Sequence, residues 1–208
     1  MNSPSRRYRS PRREQDAART RQDILKAAFT LFAERGYARV TMTDIAQETG
    51  IAVKTVYASV GTKSGILSEL LAAGLSEGTA AKTNRQIRQT SDLAGCVALV
   101  ARGTRADKER FMPTINLLHS AKDVDDGAKQ VWQSMLTAYR AGLHGAAEDL
   151  VVRGLAAPHL DVEAVTDRLW FCFGLGAWRA LVEDCRWSYE DAERLLTRQA
   201  IAALTDVA

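Results

Sequence analysis

Residues 44–67 read DIAQETGIAVKTVYASVGTKSGIL, and they decide the fold that the sequence predicts. Two short segments with helical spacing are separated by Gly50, Ile51 and Ala52. Gly50 tolerates the positive φ that a tight turn demands, and Ile51 is placed to fill the angle between two helices. The stretch therefore predicts a helix-turn-helix whose second helix lies in the major groove of double-stranded DNA.

The segments on both sides of this motif also read as helices. From about residue 18, apolar residues recur at three- and four-residue spacing, and Gly36 ends the pattern. These apolar positions are Ile24, Ala27, Ala28, Leu31 and Phe32. Thr41 or Thr43 is expected to cap the next helix, and Thr62 to cap a fourth helix that begins at Lys63.

The charge of the chain is concentrated near its N-terminus. Residues 1–64 hold 12 of the 28 Lys and Arg but 6 of the 25 acidic residues, a net charge of +6. The other residues hold 16 against 19, a net charge of −3. Such a distribution is typical of a module that binds a polyanion. A basic tail on a globular protein is the alternative, but it accounts for residues 1–15 and not for Lys54 and Lys63.

The rest of the sequence predicts helices only. Beyond about residue 75 it has neither the alternation of a half-buried strand nor a hairpin signal. The expected helices cover residues 76–89, 92–104, 106–120, 124–153, 161–184 and 188–206. Pro113 should kink the third of them, Asp161 should cap the fifth, and Ser188 with Asp191 has the spacing of a capping box.

Three elements of the N-terminal part fall at a characteristic spacing. They are ILKAAFTLFAERGYARVTMTDIAQETGI (24–51), KTVYASV (54–60) and TKSGIL (62–67). Together they resemble the TetR (tetracycline repressor) family of bacterial regulators. The chain departs from the usual pattern of that family at residues 58–60, which lack aromatic rings, and at Ser64 and Gly65, where an acidic residue is common. The missing rings should thin the packing between the third and fourth helices.

The resemblance implies an all-α fold with an N-terminal three-helix DNA-binding domain and a C-terminal helical domain for ligand binding and dimerisation. We expect a disordered basic arm over residues 1–17, the DNA-binding domain over 18–64 and the regulatory domain over 65–208. The arm either enters the adjacent minor groove or remains a solvated tail. By the resemblance alone, repression is favoured over activation.

Seven residues are predicted to contact DNA: Thr43, Ala52, Val53, Lys54, Thr55, Tyr57 and Lys63. Lys54 and Thr55 are expected to reach bases or phosphate, and Thr43, Tyr57 and Lys63 to contact the backbone. Ala52 and Val53 are placed to touch a thymine methyl group. Three structural alternatives remain open: Thr43 as a cap, Tyr57 as a core ring and Val53 as a core residue.

The last two predicted helices carry the expectation of a homodimer. Small and apolar residues form a stripe on each, and pairing the stripes across a two-fold axis would build a four-helix bundle. The stripes comprise Gly174, Leu175, Gly176, Ala177, Ala180 and Leu181, then Leu195, Leu196, Ala200 and Ala203. Burial of both stripes within one subunit is the alternative. A dimer predicts a palindromic operator with half-sites about one turn of DNA apart.

A ligand pocket is expected where bulky or polarizable residues cluster on the kinked helix, the long helix and the penultimate helix. The candidates are Met112, Ile115, His119, Trp132, Met135, Tyr139, Phe171 and Trp178. An apolar or aromatic small molecule is the expected effector, with Tyr139 or His119 as its polar partner. The same residues are also consistent with a simple core.

Other functions fit the sequence less well. An enzyme is not predicted, because the three His lie in separate segments and no cofactor motif, metal-ligand pair or phosphate loop is present. A nonspecific architectural DNA binder, relying on the basic arm, is the second alternative. The three Cys are expected to be reduced core thiols rather than a redox pair. With no long apolar run, a cytoplasmic protein without a membrane partner is expected.

Overall fold

A computed structural model describes residues 11–72 and 79–205, and within these ranges the chain is helical without any strand. The helices are α1 (Pro11–Arg35), α2 (Met42–Thr49), α3 (Val53–Val60), α4 (Lys63–Ala72), α5 (Thr79–Ile87), α6 (Leu93–Ala121), α7 (Asp126–Val152), α8 (Val162–Phe173), α9 (Leu175–Arg179) and α10 (Tyr189–Thr205). A 3-10 turn at Tyr37–Arg39 and a π-helical turn at Ala180–Asp184 complete them. The predicted all-α fold is confirmed.

Three predicted boundaries are wrong. Residues 11–17, predicted as part of a disordered arm, form the first turns of α1, and residues 1–10 lie outside the described residues. The helices predicted over 92–104 and 106–120 are one helix, α6, because no residue between them interrupts helical hydrogen bonding. The helix predicted over 161–184 is broken at Gly174, whose ψ of 165° is extended. The outermost residues predicted for the helices 76–89 and 188–206 also lie outside the described ranges.

The chain divides into two compact units. One comprises residues up to Leu71 together with Thr114–Val131, and the other comprises Ala72–Pro113 and the residues from Trp132 onward. The boundary predicted after residue 64 is therefore displaced: all but the last residue of α4 groups with the N-terminal helices, as does the segment that joins α6 to α7. Pro113, the predicted kink, is an interior residue of α6 and the last one of α6 in the second unit.

The core of the first unit has the composition that the sequence predicts. Helices α1, α2 and α3 contact one another pairwise. Their fully or nearly buried side chains are Ile24, Ala28, Leu31, Phe32, Ile45, Ala46, Val56 and Val60, joined by Ile66, Leu67 and Leu71 of α4. Each large aliphatic side chain buried in this way contributes about 2 kcal/mol. These contacts fix the orientation of α3 relative to α1 and α2.

In the second unit, α5 packs closely on α6 and α7 through glycines. A Cβ atom built on Gly103 would lie 2.7 Å from Thr83 Oγ1, and one on Gly142 would lie 2.9 Å from the Cβ of Ala80. A Cβ atom on Gly145 would lie 2.7 Å from Asn84 Nδ2. Because a real Cβ does not approach other atoms so closely, a larger residue at any of the three positions would push α5 outward.

The C-terminal helices α8 and α10 also contact each other. Val165 and Leu169 of α8 and Leu196 and Ala200 of α10 are buried. The backbone at this break requires glycine, since a Cβ atom on residue 174 would lie 2.3 Å from the carbonyl oxygen of Trp170. Asp161 caps α8 as predicted, its side chain accepting a hydrogen bond from Ala164 N at 2.7 Å. Among the described residues, no helix is long and apolar enough to cross a membrane.

Candidate DNA-binding surface and ligand pocket

The turn between α2 and α3 has the geometry that the sequence predicts. Thr41 caps α2: its hydroxyl accepts from Asp44 N at 3.1 Å, and its own N–H donates to Asp44 Oδ2 at 2.7 Å. The Thr41 hydroxyl also donates to Asp44 Oδ2 at 2.6 Å, and this bond together with that from the Thr41 N–H holds the pKa of the Asp44 carboxyl below its usual value. Gly50 has φ 66°, and Ile51 N donates back to Ala46 O at 3.1 Å, which closes the helix. Helix α3 then begins at Val53, three residues after Gly50.

Because Thr41 is the cap, Thr43 is not needed for that role. Its side chain is exposed on the first turn of α2. The structural alternative of Thr43 as a cap is therefore wrong, which leaves its hydroxyl available to a phosphate.

Helix α3 has one buried face and one exposed face. Val56 is fully buried and Val60 is 4% exposed, so this face packs on α1 and α2. Lys54 and Thr55 are exposed on the other face, and Tyr57 is 51% exposed. Tyr57 is therefore not a core ring. Of the two remaining candidates, Ala52 is exposed and Val53 is partly buried at the start of the helix.

Lys63 makes contacts that the sequence analysis missed. Its ammonium donates to Tyr37 O at 2.7 Å and lies 4.2 Å from the centre of the Tyr37 ring. Partial burial lowers the pKa of Lys63, while Asp125 and Asp44 act in the opposite direction. The Tyr37 hydroxyl in turn donates to Asp125 Oδ2 at 2.8 Å, and burial together with this bond raises the pKa of Tyr37. The first residue of α4 is thus tied to the segment that precedes α7.

Two further contacts hold α3 and α4 in position. Arg21 of α1 forms an ion pair with Glu69 of α4 at 2.6 Å and donates to the carbonyl oxygen of Ser59. A Cβ atom on Gly65 would lie 2.8 Å from Val60 O. Gly65 therefore lets α4 begin directly against the end of α3.

A pocket in the second unit lies among α5, α6 and α7. Its volume is about 360 Å³ including the open mouth. Its wall is mostly apolar, with Val100 of α6 and Leu143 and Ala146 of α7 as the larger contributors. The other lining residues are Thr79, Ala80, Thr83, Asn84, Gly103, Thr104, Asp107, Tyr139 and Gly142.

Charged groups beside this pocket are buried. Lys108 is 4% exposed, and its ammonium lies 3.9 Å from the centre of the Tyr139 ring. Burial lowers the pKa of Lys108 to about 8, against the opposing effect of Asp107. Burial raises the pKa of Asp107, and a hydrogen bond from Thr79 acts in the opposite direction. The pKa of Tyr139 is raised by burial and by the charge of Asp107.

The predicted ligand-binding residues are dispersed. Of the eight, Tyr139 lines this pocket. Ile115 and His119 belong to the first unit, and Met112, Trp132, Met135, Phe171 and Trp178 to the second. Trp178 is fully buried with its ring centre 6.1 Å from that of Tyr189, whereas Phe171 is 82% exposed. The expectation that Phe171 lines an internal pocket is wrong, because its side of α8 faces solvent.

Compared by sequence, residues 24–70 match the family model described as bacterial regulatory proteins, tetR family. This segment spans about half of α1, the whole of α2 and α3, and most of α4, and it includes the exposed face of α3. Residues 24–70 therefore form a DNA-binding domain of the tetR type. No curated protein sequence matches the chain.

Several solved structures share the fold of this chain. NalD, the secondary repressor of the MexAB-OprM multidrug efflux pump in Pseudomonas aeruginosa, has a TM-score of 0.71 at 18% identity, over 93% of this chain and 100% of that one. FadR from Bacillus subtilis in complex with stearoyl-CoA has a TM-score of 0.67 at 18% identity, over 90% and 99%. The SmeT–triclosan complex has a TM-score of 0.65 at 18% identity, over 90% and 92%. At this identity the likeness establishes the fold.

The small-residue stripes that the sequence predicts for dimerisation are partly buried within the subunit. Leu196 and Ala200 of α10 are buried, as are Gly174 and Leu175. Gly176 and Ala180 are exposed. The remaining members, Ala177, Leu181, Leu195 and Ala203, are half-buried.

The cysteines follow the prediction in two of three cases. Cys96 and Cys172 are buried, and burial raises the pKa of each thiol. Cys185 is exposed, so its assignment to the core is wrong. It follows the π-helical turn, where the helical pattern of buried positions has ended.

Proposed function

We propose that this protein is a homodimeric repressor that binds a palindromic operator through α3 and is released by a small molecule. The observation that carries the proposal is the division of α3 into a buried apolar face and an exposed face. Val56 and Val60 anchor the helix, and Lys54, Thr55 and Tyr57 are left free to meet a duplex. A helix held in this way fits the major groove.

Within that proposal, the roles at the DNA divide by position. Lys54 and Thr55, in the first turn of α3, reach base edges or phosphates. Thr43, Tyr57 and Lys63 contact the sugar-phosphate backbone and set the register. Ala52 and Val53 approach a thymine methyl. Lys63 has three donors, of which one is used on Tyr37 O, so others remain for a phosphate.

The dimer is proposed to form through the outer surfaces of the C-terminal helices. Phe171 of α8 is 82% exposed, an unusual position for a ring of this size. Gly176 lies beyond it on α9, and a Cβ atom there would meet nothing within 4 Å. An exposed ring beside small residues suits close approach of a second copy. Two copies would place two α3 helices on one face of the DNA.

The effector is proposed to occupy the pocket among α5, α6 and α7. Its wall is mainly apolar, as is usual for small-molecule sites, and its enclosed volume of about 40 Å³ would widen when a ligand binds. Two structurally similar proteins were solved with small molecules, stearoyl-CoA and triclosan, which supports an apolar or aromatic ligand. Binding would favour a conformation in which the two α3 helices no longer match the operator spacing.

The proposal is tested by selecting bound fragments from genomic DNA with the full-length protein. A shared inverted repeat is expected. Lys54→Ala and Thr55→Ala should each weaken binding to the selected site, whereas Lys82→Ala, at an exposed lysine of α5, should not. Fragments without a shared sequence, bound equally well by the α3 variants, would support the architectural alternative and contradict the proposal.

The dimer is tested separately by analytical ultracentrifugation. Phe171→Glu should shift the protein to a monomer, because it would bury a charge in the interface. Val152→Glu is the matched control, since Val152 is 84% exposed at the end of α7. A dimer that survives Phe171→Glu unchanged would exclude this surface.

A further inference from the structure

The side chain of Asp125, in the segment that joins α6 to α7, has two hydrogen-bond partners. Its Oδ1 accepts from Ala128 N at 2.8 Å, which caps α7, and its Oδ2 accepts from the Tyr37 hydroxyl at 2.8 Å. Tyr37 is 3% exposed, and its ring centre lies 5.0 Å from that of Phe32. Because the cap fixes the carboxylate on α7, the tyrosine ring is held between the core of the first unit and the start of that helix.

The start of α7 also packs directly against the start of α4. A Cβ atom built on Gly127 would lie 2.8 Å from the Cβ of Ser64. Real carbon atoms do not approach so closely, so the first turn of α7 has no room for a side chain at residue 127. Ser64 follows Lys63, the first residue of α4. The Asp125 carboxylate is therefore carried by a segment that is in contact with the neighbour of Lys63.

Tyr37 restrains the Lys63 side chain in two ways. The ammonium donates to Tyr37 O at 2.7 Å and lies 4.2 Å from the ring centre. Donation of the tyrosine hydroxyl to a carboxylate polarises the ring toward negative charge, which strengthens its attraction for an ammonium. A free lysine side chain loses rotamer entropy when it pairs with a phosphate. Since Lys63 is already restrained, part of this loss precedes DNA binding, and the affinity is higher.

We propose that Asp125 is a positioning residue for DNA binding: acting through Tyr37, it holds the Lys63 ammonium where its remaining donors meet a phosphate. This inference rests on the proposed function, because the phosphate contact of Lys63 is assigned there. Asp125 does not itself touch the duplex, since both of its oxygens are engaged within the protein and a carboxylate is repelled by phosphate.

The test is a double-mutant cycle on the operator selected with the full-length protein, with affinity measured by fluorescence anisotropy at fixed salt. Tyr37→Phe removes the hydroxyl but keeps the ring and the net charge. Lys63→Ala should cost about 3- to 10-fold less affinity in Tyr37→Phe than in the unmodified protein, which is the range for residues in contact. Tyr189→Phe is the matched control, since it removes a hydroxyl that donates to Lys108 O in the second unit. The cost of Lys63→Ala should be unchanged in that control.

Asp125→Ser provides a second cycle. A serine keeps an oxygen that caps α7, but it is too short to reach the Tyr37 hydroxyl. Here too Lys63→Ala should cost less affinity than in the unmodified protein, and the lost charge of Asp125 cancels because it affects both members of the pair. Asp126→Ser, at the exposed neighbouring acid, should leave the cost of Lys63→Ala unchanged.

Equal costs of Lys63→Ala in the unmodified protein and in either variant would overturn the inference, because a contact that only stabilises the fold affects both proteins alike. Urea denaturation checks that each variant is folded, and if Tyr37→Phe is not, the Asp125→Ser cycle decides. A Lys63→Ala substitution without any cost would also overturn the inference, while leaving recognition by α3 in place. Failure of the unmodified protein to select an operator would instead overturn the proposed function.

Discussion

Replacing the buried Lys108 by Met should stabilise the protein at neutral pH. The pKa of Lys108 falls from its ordinary 10.5 to about 8, mainly because burial disfavours the charged form. Since the folded pKa is the lower one, the cost is fully present below pH 8 and disappears as the pH rises through 10.5. At 1.36 kcal/mol per pKa unit, the charged side chain costs about 3 kcal/mol at pH 7. The contact with the Tyr139 ring offsets about 1 kcal/mol. Lys108→Met should therefore gain about 2 kcal/mol at pH 7.

The assay is urea denaturation of both proteins at pH 7 and pH 10, at equal protein concentration because a dimer links stability to concentration. The gain should fall below about 1 kcal/mol at pH 10, where the folded lysine is already neutral. Lys82→Met, at an exposed position of the same unit, should change stability by less than about 0.5 kcal/mol at either pH. If Lys108→Met destabilises the protein at pH 7, or if its effect does not depend on pH, burial does not dominate the energetics of Lys108.

Three other substitutions test contacts within the first unit. Gly65→Ala should destabilise the protein by about 1–2 kcal/mol and weaken operator binding, because a Cβ atom would lie 2.8 Å from the carbonyl oxygen of Val60, and an unchanged midpoint in urea denaturation would refute this steric argument. Tyr37→Phe should cost about 1.5–3 kcal/mol in the same assay, because it removes a hydrogen bond to a carboxylate, and an unchanged midpoint would contradict that contact. Lys63→Ala should weaken binding to all DNA sequences and reduce the slope of log affinity against log salt by about one unit, and an unchanged slope would rule out a phosphate contact.

The sequence predicts the helix-turn-helix well because its determinants are local. Thr41, Gly50 and the two buried valines of α3 each act within a few residues, so spacing alone places the turn and the outer face of α3. Contacts between distant parts of the sequence are a different matter. Tyr37 and Asp125 are 88 residues apart, and no periodicity in either segment indicates that they meet. The hydrogen bond from Lys63 to Tyr37 O also joins distant residues, and the position of Lys63 in the sequence predicts only a contact with a DNA phosphate.

Helical periodicity identifies an apolar face of a helix without saying what covers that face. Phe171 has the spacing of a core residue but lies on a face of α8 that nothing in the subunit covers. Conversely, Gly103 and Gly142 read as unremarkable helix positions, although they let α5 pack closely enough to form the pocket wall.

The central claim is that two copies of α3, held at a fixed distance, read one operator. The most direct measurement inserts half a helical turn, about five base pairs, between the half-sites of the selected operator and compares affinities at fixed salt. The account predicts a loss to the level of nonspecific DNA, roughly 10³-fold or more, because the second α3 then faces the opposite side of the duplex. Unchanged affinity for the altered operator would mean that a single copy suffices, and would contradict the account.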